Sequence, residues 1–199
     1  MFDAILYINL DHREDRRQHI ENELKKLDHI TTNIHRIEGV LDKACGHLGC
    51  GKSHVHAIEL AIQKNWSSVL IVEDDLKLSE DLSNLSKIDD IEWDVMMLGY
   101  GHYNLKECDF DFLRRVNGAT CTHGYIVRNH YYQTLLENFR VSVSIMENEL
   151  MKYIADNGTS EKMHYCTAID QHWVHLQQKD IFYVFEPCIG FQGGFAGDT

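Results

Sequence analysis

The sequence predicts an α/β domain, with a central mixed sheet flanked by helices, and three observations carry that expectation. Val69-Leu70-Ile71-Val72 is a run of four apolar residues, three of them β-branched, that ends in Glu73-Asp74-Asp75. It is too short for an ordinary helix and reads as a strand buried on both faces. Ala4 to Leu10 is a second such run, followed by a stretch with Ile20, Leu24 and Leu27 on one helical stripe. Further apolar strands alternate with helical patterns, and no linker, repeat or low-complexity segment interrupts the chain. One domain over residues 1–199 is therefore expected.

In chain order, Asp11 with Glu14 three residues on has the pattern of a capping box opening the first helix. Asn33 to Glu38 is a short second strand ending at Gly39. Gly46 to His54 reads as a glycine-rich loop, after which Ser53 caps a helix to Asn65 with Val55, Ile58, Ala61 and Ile62 inward. After the acidic strand, Ser79 to Lys87 reads as a polar helix. Trp93 to Leu98 is a strand closed by Gly99-Tyr100-Gly101, and residues 102–112 read as loop. Arg115 to Val127 holds two short strands around Gly118 and Gly124. Asn129 to Phe139 and Ile145 to Ile154 read as two helices, the second ended by Asp156-Asn157-Gly158. Asp170 to Gln178 is a short helix and Phe182 to Phe185 a late strand. Pro187 precedes a tail with Gly190, Gly193, Gly194 and Gly197, which reads either as a lid or as a loose end.

Composition narrows the function classes. A formal net charge of -12 argues against a nucleic-acid surface. No apolar run reaches about 18 residues, and the first residues enter a strand directly, so no membrane span or signal peptide is expected and the location reads as cytoplasmic. The six cysteines, Cys45, Cys50, Cys108, Cys121, Cys166 and Cys188, contain no close CxxC pair and read as reduced thiols. Thirteen histidines include no HExxH, which leaves a zinc site a weak idea. The tryptophans Trp66, Trp93 and Trp173 read as core.

The chemistry concentrates at the acidic strand. Its C-terminal end must emerge at the sheet edge where α/β proteins bind ligands. Three crowded carboxylates repel one another there, and a divalent cation bridging to a diphosphate would relieve the repulsion. The alternative is a solvated acidic turn. Arg13, Arg16 and Arg17 continue the apolar stripe of the first helix backward, where an anion would meet guanidinium groups and first-turn amides. Gly46 to Ser53 also matches GxxxxGKS, the P-loop signature. Its context is poor, because Leu41 to Cys45 carries two charges and makes no buried strand.

Together these segments resemble glycosyltransferase family 25, which includes bacterial lipo-oligosaccharide and animal collagen galactosyltransferases. Ile8-Asn9-Leu10-Asp11 with Arg13, Arg16 and Arg17 resembles the family's opening segment. Gly46, Gly49, Cys50, Ser53 and His54 resemble its GxxGCxxSH segment, and Leu70 to Asp75 its strand ending in EDD. Gly124-Tyr125-Ile126, Asp170-Gln171 and Pro187 to Gln192 are weaker matches, all in family order. The resemblance implies a single GT-A, Rossmann-like nucleotide-sugar-binding domain, a UDP-sugar donor, Mn²⁺ or Mg²⁺, and inversion at the sugar. It implies Asp75 on the metal with Asp74 or Glu73 assisting, the other acid meeting ribose. Asn9, Leu10, Asp11, Arg13, Arg16, Ser53, His54 and Gly124 fall to donor binding. A single displacement needs one base. Asp170 is the expected one, with an N-cap role as the alternative, and Asp94, His172 and His123 are fallbacks. The acceptor would be a glycan or glycoprotein hydroxyl. The competing functions are a P-loop nucleotide enzyme and a UDP-sugar-binding module without activity.

Overall fold

The computed structural model describes residues 1–160 and 167–195, so Cys166 and Gly197 lie outside the described residues. Its strands and helices are β1 (Ala4–Asn9), α1 (Glu14–Leu24), β2 (Ile34–Glu38), α2 (Gly46–Lys64), β3 (Ser68–Glu73), β4 (Leu76–Leu78), β5 (Val95–Met97) and β6 (Tyr103–Lys106). They continue with β7 (Leu113–Ala119), β8 (Gly124–Arg128), α3 (Tyr132–Asn157), α4 (Ile169–His172), α5 (Val174–Gln177), β9 (Phe182–Phe185) and β10 (Gly190–Gln192). Eight strands form one mixed sheet in the order β2-β1-β3-β8-β5-β9-β7-β6, and β10 pairs with β4 in a separate ribbon.

β1, β2 and β3 are mutually parallel, while β8 runs antiparallel to β3. Strand alternation divides the core between two faces. Leu6, Val69 and Ile71 pack with Ala57 and Ile58 of α2 and Leu135 and Phe139 of α3. Ile5, Tyr7, Leu70 and Val72 pack on the opposite face with Ile20 and Leu24 of α1. The stripe expected for the first helix is therefore its buried side, continued by Leu27 in a following 3₁₀ turn. Trp93 and Trp173 are core, as expected.

Several local expectations are corrected. Asp11 does not cap α1. The cap residue is Arg13, without a side-chain cap bond, and Asp11 instead accepts from Arg36 Nη2 at 2.5 Å. Residues 46–53 are not a loop but the first turns of α2, capped by the Cys45 sulfur, which accepts from Leu48 N–H. Their glycines serve close packing. A Cβ on Gly49 would lie 2.3 Å from Val40 O, and one on Gly51 would lie 3.0 Å from Val143 Cγ2 of α3. Ser53 lies in the second turn, donating to Gly49 O and accepting from Val40 N–H, both at 2.8 Å.

The predicted 129–139 and 145–154 helices are one helix. Weak helix formers at 141–144 interrupt the pattern, but packing overrides propensity: Ser142 is fully buried and donates to Thr167 O. In place of the polar helix expected over 79–87 there is a 3₁₀ turn at Ser83–Ile88, with Leu85 and Ile88 buried. β4, the edge strand β6 and β10 were not expected. Asp170 to Gln178 is divided into α4 and α5.

Gly49→Ala is expected to destabilise the fold. Alanine gains about 1 kcal/mol over glycine in a helix interior. The added methyl collides with a backbone carbonyl, and overpacking costs about 1–3 kcal/mol. Urea unfolding of the variant should give a net loss; a net gain would mean that the β2–α2 connection yields freely.

Candidate functional site

The parallel strands β1, β2 and β3 deliver Asn9, Glu38 and Glu73 to one edge of the sheet. α2 begins at that same edge after the Gly39–Cys45 connection. A cavity of about 190 Å³ opens there, lined by the end of β1, Arg16 of α1, the connection after β2, the first turns of α2, and Glu73 and Asp74. A second cavity of about 220 Å³ shares Cys50 and Glu73 with the first and carries Thr122, His123 and Asp170.

The period of two in β3 sends its acids to different partners. Glu73 continues the side of Val69 and Ile71 and meets α2: its Oε1 lies 3.2 Å from His54 Nε2 and accepts from Thr122 Oγ1 at 2.9 Å. Asp74 turns to the α1 side, where it pairs with Arg16 Nη1 at 3.1 Å and accepts from Asn9 Nδ2 at 2.8 Å. Asn9 is braced in turn by Arg36 Nε, which donates to its Oδ1 at 3.1 Å. Asp75 accepts from Gln192 Nε2 at 3.3 Å through Oδ2, while its buried Oδ1 has no hydrogen-bond partner among the described residues.

These surroundings set the protonation of the three acids. Burial alone would push Glu73 up, but the bonds from His54 and Thr122 hold it below its ordinary value. Asp74 is raised by burial despite Asn9 and Arg16. Asp75 is pushed up to about 6, first by burial and then by the neighbouring Glu73 charge.

The C-terminal segment covers this turn. β10 lies antiparallel to β4, Gly193 N–H donates to Asp75 O at 2.6 Å, and the Phe195 ring lies 5.5 Å from the Arg16 guanidinium carbon. The crossing needs glycine at two points: a Cβ on Gly99 would lie 2.1 Å from Gly190 O, and one on Gly190 would lie 2.7 Å from Leu98 Cβ. The expected glycine-rich tail is, through residue 195, a strap over the acids.

Of the residues expected to bind donor, Asn9, Leu10, Arg16, Ser53, His54, Glu73 and Asp74 line the first cavity. Three are placed elsewhere. Asp11 is exposed on Arg36, Arg13 forms a two-bond pair with Asp15, and Gly124 packs against Leu98 and Leu76 inside the sheet. Asp170 lines the second cavity, and its Oδ2 accepts from Cys121 N–H at 3.1 Å. Among the fallback bases, His123 lines that cavity, and burial lowers its ring. Asp94 precedes β5, which runs parallel to β3, so it sits at the opposite sheet edge and holds Ile181 N–H and His130. His172 lines neither cavity. Sequence reasoning gave no role to Gly39 to Asp42 or Thr122; a connection following a parallel strand was the available signal for the former, and none marked the latter.

The P-loop alternative fails on geometry. Residues 46–53 are helical, and Lys52 points to Glu147 at 2.8 Å and Asp42 at 4.0 Å. Lys52→Ala is expected to leave nucleotide binding unchanged and to cost under about 1 kcal/mol, as for partly exposed pairs. Loss of nucleoside triphosphate binding in a filter assay would reinstate the P-loop.

No protein-family model matches the chain. Over 109 residues the chain is 31% identical to a Haemophilus influenzae protein described as a "Putative glycosyltransferase", a match covering 46% of this chain. The match spans only 39% of that relative's length. Among solved structures, a mannose-1-phosphate geranyltransferase from Thermus thermophilus is similar over 92% of this chain and 72% of its own, with a TM-score of 0.52 at 11% identity. A protein of STIV is similar over 98% and 96%, with a TM-score of 0.51 at 8% identity. At such identities the likeness is one of fold. The fold is the GT-A-like α/β architecture expected from the sequence.

Proposed function

We propose that this chain is an inverting glycosyltransferase resembling family 25. It would move a hexose, galactose before glucose, from a UDP-sugar to a hydroxyl of a glycan or glycoprotein. The observation that carries the reading is Asp75. A buried carboxylate with an unpartnered oxygen, beside two further acids at the C-terminal edge of a parallel strand, fits a hard divalent cation such as Mn²⁺ or Mg²⁺. Asp75 is the residue that would hold it, while Asp74 and Glu73 are already engaged by Arg16 and His54. Such a cation, when bound, supplies Lewis-acid stabilisation of the departing diphosphate.

The chain's own groups account for the remainder. The end of β1, with Asn9 and Leu10, gives the first cavity a floor for the nucleoside. Arg16 brings positive charge beside Asp74 in an otherwise acidic cleft. Asp170, oriented by Cys121 N–H across the second cavity, takes the acceptor proton. The strap of residues 190–195 lies over the acidic turn and excludes water from it. Among the described residues no helix is long and apolar enough to cross a membrane.

A thermal-shift panel of nucleotide sugars tests the proposal, because a ligand that binds only the native state raises the melting temperature. UDP-hexoses should stabilise the protein with Mn²⁺ and much less without it. Stabilisation by nucleoside triphosphates alone, or by no UDP-sugar, would contradict it.

A further inference from the structure

Glu73 also belongs to a second constellation, distinct from the Asp75 turn. Cys50 and His54 stand one helical turn apart on α2, and with Glu73 they place a sulfur, an imidazole nitrogen and a carboxylate oxygen within 4.8 Å of one another. We propose that Cys50 Sγ, His54 Nε2 and a Glu73 carboxylate oxygen form a binding site for Zn²⁺ in the wall between the two cavities. Its fourth position would be open to water or to an oxygen of a bound ligand.

The imidazole–carboxylate pair already has the separation zinc requires, and the Cys50 sulfur lies within 4.8 Å of both. His54 Nε2 and Glu73 Oε1 are 3.2 Å apart. Two ligands bound at about 2.0–2.1 Å at tetrahedral angles are separated by about 3.3 Å. The ring is already aimed. His54 is fully buried, stacked on Tyr125 at a centroid distance of 5.7 Å and met edge-on by Phe139 at 6.1 Å. Its Nδ1 lies 3.0 Å from the Tyr125 hydroxyl. With metal on Nε2, the ring proton sits on Nδ1 and is donated to that hydroxyl, the supporting bond that zinc-ligating histidines use. Thr122 gives Glu73 a matching support at 2.9 Å.

The donor set separates this site from Asp75. A thiolate and an imidazole select zinc over Mn²⁺ or Mg²⁺, which prefer oxygen. Binding exchanges the Cys50 thiol proton for the metal and releases it to solvent. Cys50 and Glu73 line both cavities, so three protein ligands leave an open position facing the cleft.

The test is a Co²⁺ titration of the full chain under reducing conditions after removal of bound metal by chelator. One equivalent should give a thiolate-to-cobalt charge-transfer band, displaced by Zn²⁺ and accompanied by proton release. Cys50→Ser should lose the band while keeping the wild-type circular dichroism. Asp75→Asn should keep it, and Tyr125→Phe should weaken binding about 10- to 100-fold. No band in the wild-type protein, or an unchanged band in Cys50→Ser, would overturn the proposal. The wild-type titration decides even if a variant misfolds. Mn²⁺-dependent UDP binding is measured separately by calorimetry, so failure of zinc binding and failure of the transferase reading are distinguishable.

Discussion

Asp75→Asn is expected to abolish Mn²⁺-dependent UDP binding while making the metal-free protein more stable. Both effects come from the same carboxylate. Its Oδ1 is buried without a hydrogen bond, and its environment moves it from 3.8 to about 6. Holding it ionised at neutral pH therefore costs the fold about 3 kcal/mol relative to the unfolded chain. The sign follows from proton binding. Between about pH 4 and pH 6 the folded state keeps a proton that the unfolded state has lost, so stability falls as pH rises through that window and then levels. Asparagine removes this fall. Urea unfolding in chelator at pH 7.5 should show the variant more stable by about 1–3 kcal/mol, with the gap closing toward pH 4. Calorimetry with Mn²⁺ should show UDP affinity reduced beyond detection. A less stable variant that still binds UDP with Mn²⁺ would make Asp75 an ordinary buried acid.

The second large effect concerns Asp170. Asp170→Asn keeps an oxygen that can accept from Cys121 N–H, so the second cavity should hold its shape. Asparagine cannot take a proton at neutral pH. Transfer should fall about 10²- to 10⁴-fold, the usual contribution of a positioned base. Donor affinity, set in the first cavity, should stay within a few-fold. Near-normal turnover would reduce Asp170 to a structural acceptor for the 120–122 turn.

The two effects rest on parts of the molecule that were unequally legible in the sequence. β1 and β3 could be recognised because a strand buried on both faces must be apolar throughout, and the α1 stripe because Ile20, Leu24 and Leu27 repeat at helical spacing. That placed the acids at the right edge of the sheet. The sequence does not show where each side chain goes next. Glu73 and Asp74 part because adjacent strand residues face opposite ways, toward His54 on α2 and Arg16 on α1. Arg13 turns from the cleft to its near neighbour Asp15, and Asp11 to Arg36, a partner that only the pairing of β1 with β2 brings close.

The glycines of 46–53 misled for a related reason. Glycine signals a loop when only local conformation is weighed, yet Gly49 and Gly51 are helical because Val40 and α3 press against them. β4 and β10 are three residues each and exist through pairing with one another, a long-range contact that no local pattern records. Asp75 owes its unpartnered oxygen to that same pairing, since Gln192 of β10 satisfies one oxygen and leaves the other.

The most direct measurement is a crystal structure with Mn²⁺ and UDP, read by anomalous scattering. An anomalous peak within bonding distance of Asp75 Oδ1, with the diphosphate beside it and uracil at the end of β1, is the predicted result. Diphosphate bound at the start of α2 with no cation on Asp75 would contradict the account.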